Sequence, residues 1–127
     1  MTQNEKNLLI KDLCARLPYG VILNCCNIVS EPLTLIDYKG LVNNDYDIDE
    51  VKPYLFPLSS MTDEDYAIYS KIWEDTGKTA YLEGCHHLIS TIKAYKAAND
   101  YLLSKHYDIN GLIPIGLAND ATGLNIY

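Results

Sequence analysis

A chain of 127 residues falls within the span of one domain, 1–127, and 48% hydrophobic residues are enough for a single core, which excludes global disorder. Ten Lys and Arg against 17 Asp and Glu leave a net charge of −7, the wrong sign for a protein whose main contact is a nucleic-acid phosphate backbone. No apolar run approaches the ~20 residues of a membrane helix, and the opening residues lack a signal peptide's basic start and apolar stretch, so a cytoplasmic chain without membrane contact is expected.

Thr2 or Asn4 can cap a first helix in which Leu9, Leu13 and Leu17 recur at four-residue spacing, and Pro18 ends it. Residues 20–29 and 33–39 then read as two strands of a hairpin, separated by Ser30, Glu31 and Pro32. Gly40 breaks the second, and residues 43–50 alternate acid with bulk, which suits an exposed turn into a short third strand. Pro53 and Pro57 bracket Tyr54, Leu55 and Phe56, so this stretch reads as an edge strand or a rigid extended loop. Thr62 followed by Asp63, Glu64 and Asp65 starts a helix, with Tyr66, Tyr69, Ile72 and Trp73 on its buried face and Gly77 at its end. Residues 83–106 contain no proline and repeat with helical period, which makes this the longest expected element; Asp108, Asn110 and Gly111 close it, and an irregular tail follows.

These elements define an α+β fold: a small antiparallel sheet from residues 19–56, packed against the N-terminal helix and two later helices, the last one long. Its charge is uneven. Residues 31–75 hold 11 acids and 3 bases, so the acidity belongs to the middle and residues 44–50 and 63–65 are expected to form an exposed negative face.

Cys14, Cys25, Cys26 and Cys85 form no CxxC pair and no zinc set; as reduced thiols among apolar neighbours they read as small core residues. Asp45, Asp47 and Asp49 resemble the start of a calcium loop, but Glu50 stands where that loop needs glycine and Phe56 where it needs glutamate, so they read as a solvated acidic loop. No metal or cofactor is expected. Glu83, His86 and His87 could share one helical turn and shuttle protons, yet His106 lies roughly 28 Å further along a continuous helix and completes no set. Otherwise one of the two histidines enters the core or caps a helix, and the other is exposed. Ser59, Ser60 and Thr62 form a hydroxyl cluster beside Tyr54, suited to a phosphate or a ribose, with Lys52 to supply charge; the bland alternative is that they only cap the next helix. Eleven tyrosines against one phenylalanine favour half-buried contact surfaces, and rings such as Tyr46, Tyr54, Tyr81 and Tyr107 point to self-association into a homo-oligomer.

The segments DLCARLPYGV (12–21), VKPYLFPLSSMT (51–62) and YLLSKHYDINGLIPIGLA (101–118) resemble a family of small uncharacterised proteins from phages and prophages of gut Bacteroidales. The resemblance implies a setting, the host cell cytoplasm, rather than a chemistry. It suggests a phage accessory binding protein without catalytic activity that neutralises a host factor, either by covering a host protein or by sequestering a nucleotide-like immune signal. The ligand-binding residues would then be Lys52, Tyr54, Ser59, Ser60 and Thr62. Two alternatives stand beside it: a small nucleotide or phosphoester hydrolase using His86, His87 and Glu83, and a minor structural or assembly protein.

Overall fold

The computed structural model describes residues 1–25 and 28–127. It is an α+β fold of four helices and a four-stranded mixed sheet. The first helix, α1 (Gln3–Arg16), begins where the Thr2 hydroxyl accepts the Glu5 N–H at 3.1 Å, and it buries Leu9 and Leu13 together with Asp12 and Arg16. Strands β1 (Ile22–Cys25) and β2 (Ile28–Pro32) pair antiparallel, Cys25 opposite Ile28. The single strand expected over residues 20–29 is therefore two strands, and the expected turn at Ser30–Pro32 is the second half of β2. Cys26 lies outside the described residues.

The second expected strand, 33–39, is a helix, α2 (Leu35–Val42). The Thr34 hydroxyl accepts the Asp37 N–H while the Asp37 carboxylate accepts the Thr34 N–H, so two first-turn donors are satisfied at once. That local box outweighs the strand preference of the apolar and β-branched residues around it.

Strand β3 (Val51–Leu55) is an interior strand, not an edge: it pairs antiparallel with β1, Leu23 opposite Pro53, and parallel with the two-residue β4 (Asn119–Asp120). Pro53 is tolerated because β4 begins its pairing only at Tyr54, so no strand on that side asks Pro53 for an N–H. The parallel β4 makes the sheet mixed where an antiparallel one was expected. Leu9, Leu13, Val21, Leu23, Leu41, Val51, Leu55 and Leu112 form the core between α1, the sheet and the tail.

Helices α3 (Asp63–Leu82) and α4 (His87–Ser104) form a hairpin. Gly77 does not end α3, which is the longer of the two at 20 residues. A Cβ at Gly77 would lie 3.9 Å from the Ala94 Cβ, so this glycine sits at the close approach of the two helices. The stop is Gly84, left-handed at φ +82°, where the Cys85 N–H reaches the Ala80 carbonyl and the Gly84 N–H the Tyr81 carbonyl, both at 3.0 Å. Because α3 packs mainly on α4, its expected buried face is only partly covered, and Tyr66 is 62% exposed. Of the described cysteines, Cys14 is exposed and Cys85 half-buried, so neither is the core residue expected, while Cys25 is half-buried against the core. Of the tyrosines expected in half-buried loops, Tyr54 and Tyr107 are buried while Tyr46 and Tyr81 are exposed. The acidic residues 45, 47, 49, 50, 63 and 64 are exposed. No described helix is long and apolar enough to cross a membrane.

Candidate binding cleft

The end of α4 is tied to the sheet by a parallel bridge, Phe56 to Tyr107, in which the Phe56 N–H donates to the His106 carbonyl at 2.9 Å and the Asp108 N–H donates to the Phe56 carbonyl at 2.8 Å. Beneath this bridge lies a buried ion pair. Arg16, fully buried, donates from Nε to Asp12 Oδ2 at 2.7 Å, from Nη2 to Asp12 Oδ1 at 3.2 Å, and from Nη2 to the Tyr107 carbonyl at 2.7 Å. Asn110 donates to Asp12 Oδ1 at 2.8 Å, and the buried Asp108 carboxylate accepts the N–H groups of Leu112 and Ile113. Three segments distant in sequence meet here, residues 12–21 through Asp12 and Arg16, residues 51–62 through Phe56, and residues 101–118 through Tyr107 and Asp108.

Helix α4 stops with the same backbone pattern as α3. The Tyr107 N–H reaches the Leu102 carbonyl at 3.1 Å and the His106 N–H the Leu103 carbonyl at 3.0 Å. The left-handed position that this cap demands is filled by His106, at φ +65°, where glycine is usual. For a side chain with a Cβ this conformation costs about 1–2 kcal/mol.

The His106 ring stacks on Tyr127, with centroids 3.7 Å apart and planes 14° apart, and Phe56 tilts against Tyr127 at 5.8 Å. The Tyr127 hydroxyl accepts the Ile22 N–H at 2.9 Å and donates to the Tyr54 carbonyl at 2.7 Å, which anchors the ring to β1 and β3. Burial pushes the Tyr127 phenol up to about 12. Burial, with the positive charges of Arg16 and Lys105 nearby, lowers His106 to about 4, so the imidazole is neutral at pH 7. Two buried nitrogens here, His106 Nδ1 and Arg16 Nη1, have no hydrogen-bond partner in the protein among the described residues.

Above the stack opens a cleft of about 540 Å³ whose walls include Phe56, Thr62, Asp65, Lys105, His106 and Tyr127. Thr62 caps α3 by accepting the Asp65 N–H at 3.1 Å. Asp65 turns back from the first turn of α3 and accepts the hydroxyls of Tyr107 and Tyr101, each at 2.7 Å; these bonds hold its carboxyl below the usual range. Tyr101 is pushed up to about 12, first by burial and then by Asp65. Lys105 is exposed, its ammonium 6.0 Å from the Tyr101 ring centroid. The cleft thus offers aromatic faces, one ionised carboxylate and one exposed ammonium.

Of the five ligand residues expected from the sequence, Ser60 and Thr62 line this cleft and three do not. The Ser60 hydroxyl donates to the Pro57 carbonyl at 2.7 Å, and Ser59 is exposed beside it. Lys52 stands on β3 opposite Asn24, and the buried Tyr54 accepts from Asn24 Nδ2 at 3.0 Å. Phe56, Asp65, Lys105, His106 and Tyr127 escaped the sequence reading. The available signal was the missing glycine at the end of α4, in a stretch where Asp108, Asn110 and Gly111 announce a stop.

Glu83, His86 and His87 do not share one face of a helix. Glu83 terminates α3, His86 is the N-cap of α4 with Nδ1 accepting the Leu88 N–H at 3.2 Å, and His87 opens α4; all three are exposed. In the acidic loop, Asp47 accepts the Asp49 N–H, and Asp49 lies 3.8 Å from both Lys6 and the N-terminal amine. Among the described residues no three His, Cys, Asp or Glu side chains are grouped to hold a metal ion. No protein-family model, curated protein or solved structure matches the chain.

Proposed function

We propose that this chain is a phage-type accessory protein that works by binding, in the cytoplasm of a host cell, and that it sequesters a nucleotide-like ligand in the cleft beside His106. The observation that carries this reading is His106 itself. A residue other than glycine at a left-handed helix stop is retained at a cost, and strain of this kind concentrates where a side chain has work to do. Orphaned buried polar atoms and a displaced pKa in a cleft point the same way.

The chemistry suits a nucleotide. Phe56 and Tyr127 give a base an aromatic surface, the ionised Asp65 has lone pairs for ribose hydroxyls, and Lys105 can neutralise a phosphate. It suits catalysis poorly. An imidazole lowered to about 4 is a weak base at pH 7, phenols raised to about 12 are weak nucleophiles, and the Ser60 and Ser104 hydroxyls are spent on the Pro57 and Tyr101 carbonyls. Self-association belongs to the same reading, supported by the excess of tyrosines, of which Tyr46, Tyr66, Tyr81 and Tyr95 are exposed.

Calorimetry of the protein against AMP, ADP-ribose and a cyclic dinucleotide tests the proposal. Binding by at least one of them is expected, weakened at least about tenfold by Lys105→Ala and by His106→Asn, the latter chosen because asparagine tolerates positive φ. No binding across the panel, or binding indifferent to both substitutions, would overturn it.

A further inference from the structure

From His87 to Ala98, where it packs mainly on α3, helix α4 is built the wrong way round. The residues buried there are small, Ser90, Ala94 and Ala98, with Gly77 of α3 close by, and the large buried pair, Leu102 and Leu103, comes only at the C-terminal end. The large ones face outward: Leu88 is 60% exposed, Ile92 54% and Tyr95 55%, flanked by Ile89 at 44%. Tyr95 meets the edge of Trp73 on α3, at 6.2 Å between ring centroids. A contiguous stripe of such residues marks a surface made to be covered.

On α4, Leu88, Ile92 and Tyr95 are separated by four and three residues, the next position in that series, Asn99, is polar, and Cys85 precedes the helix at the hairpin tip. The alternation is that of core positions in a coiled coil, a narrow seam that fits one further helix, and it occupies only the N-terminal half of α4. We propose that the helix covering this seam is α4 of a second copy, running antiparallel about a two-fold axis level with Ser90. The seam is complementary to itself on reversal in that register. Leu88 packs against the partner's Ile92, Ile89 meets the partner's Ile89 beside the axis, and Tyr95 lies over the partner's Cys85 at the hairpin tip. Asn99 falls beyond the contact and stays in water.

Charge selects this pairing over a parallel one. In a chain of net charge −7, no acidic residue occurs between Glu83 and Asp100, whereas Lys93 and Lys96 are exposed on the flank of the seam. A parallel arrangement would crowd the lysines of both copies along one stretch of the contact. The antiparallel one spreads them to its two ends and brings Lys96 level with the partner's hairpin tip, where the exposed Glu83 supplies the opposite charge. It also sends the two sheets to opposite ends of the pair, since each lies beyond the C-terminus of its own α4. A symmetric contact is the commonest closed assembly. The proposal is independent of the cleft, which lies at the other end of α4.

Light scattering and sedimentation on the full chain at high micromolar concentration should give a dimer mass. Leu88→Glu and Ile92→Lys change exposed positions, so both variants should keep the parent's circular dichroism and melting, and each alone should be monomeric. Mixed together, they should recover the dimer, because only this antiparallel register sets the introduced glutamate of one chain against the introduced lysine of the other. A monomeric parent, or dimers that persist in both variants, would overturn the proposed surface. Failure of the mixture to recover the dimer would overturn the register.

Discussion

The C-termini of α3 and α4 are closed by the same pair of backbone hydrogen bonds, but the residue in the left-handed position differs. At the tip of the hairpin it is Gly84, exposed and with nothing within 4 Å of where a Cβ would stand. At the body of the molecule it is His106, stacked on Tyr127 and seated over the buried Asp12–Arg16 pair. The tip uses the residue that fits the backbone most cheaply. The body tolerates strain to place an imidazole, so the side chain matters more there than the turn.

The largest effect should come from removing what lies under the body end. Asp12→Ala leaves the Arg16 guanidinium buried without its counter-charge and strips Asn110 of an acceptor, and should cost about 3–5 kcal/mol in denaturant unfolding. A loss under about 1 kcal/mol would mean that the body end is no more firmly built than the tip. Next comes Gly84→Ala, which forces a Cβ into φ +82° and should cost about 1–2 kcal/mol although it touches nothing. The reverse exchange, His106→Gly, should recover backbone strain of similar size and lose the stack on Tyr127. Its melting temperature should therefore change little while ligand affinity falls, and a large drop in stability would show the ring to be structural.

The remaining expected effect is one of pH. His106 titrates at about 4 in the folded protein against 6.5 when free, so the unfolded chain binds more protons between those values. Stability is full above 6.5 and is lost as pH falls towards 4. Asp65, held below 3.8, loses its contribution only at lower pH still, so the two windows separate. Thermal melts of the parent and of His106→Asn across this range should diverge only between about 6.5 and 4. Parallel curves would show that the fold does not hold the half-buried His106 imidazole neutral.

What could be read from the sequence follows the range of the forces involved. Helix α1 and the start of α3 were legible because Thr2 and Thr62 act on residues three positions away. Helix α2 was equally local, yet the strand-like residues around Thr34 and Asp37 disguised the box. Gly77 and Gly84 look alike as letters, and only the approach of Ala94 separates a packing glycine from a stop. Within the cleft, Ser60 and Thr62 announced themselves beside a helix start. Phe56, Asp65, Lys105, His106 and Tyr127 converge from four distant segments, and no spacing within one segment encodes such a meeting.

The clasp between Arg16 and Tyr107 also bears on the order in which the molecule assembles. β1 to β3 join residues close in sequence, and α3 and α4 meet across a short turn, so each half can form by itself on a fast timescale. Arg16 to the Tyr107 carbonyl spans 91 positions, Asn110 to Asp12 spans 98 and Ile22 to Tyr127 spans 105, so these contacts carry the largest loop-closure cost. Docking of the helical hairpin onto the sheet is therefore the late event. Its reversal is the first opening that native-state hydrogen exchange should detect, with the backbone amides of Phe56 and Asp108 released together ahead of the strands and helices on either side.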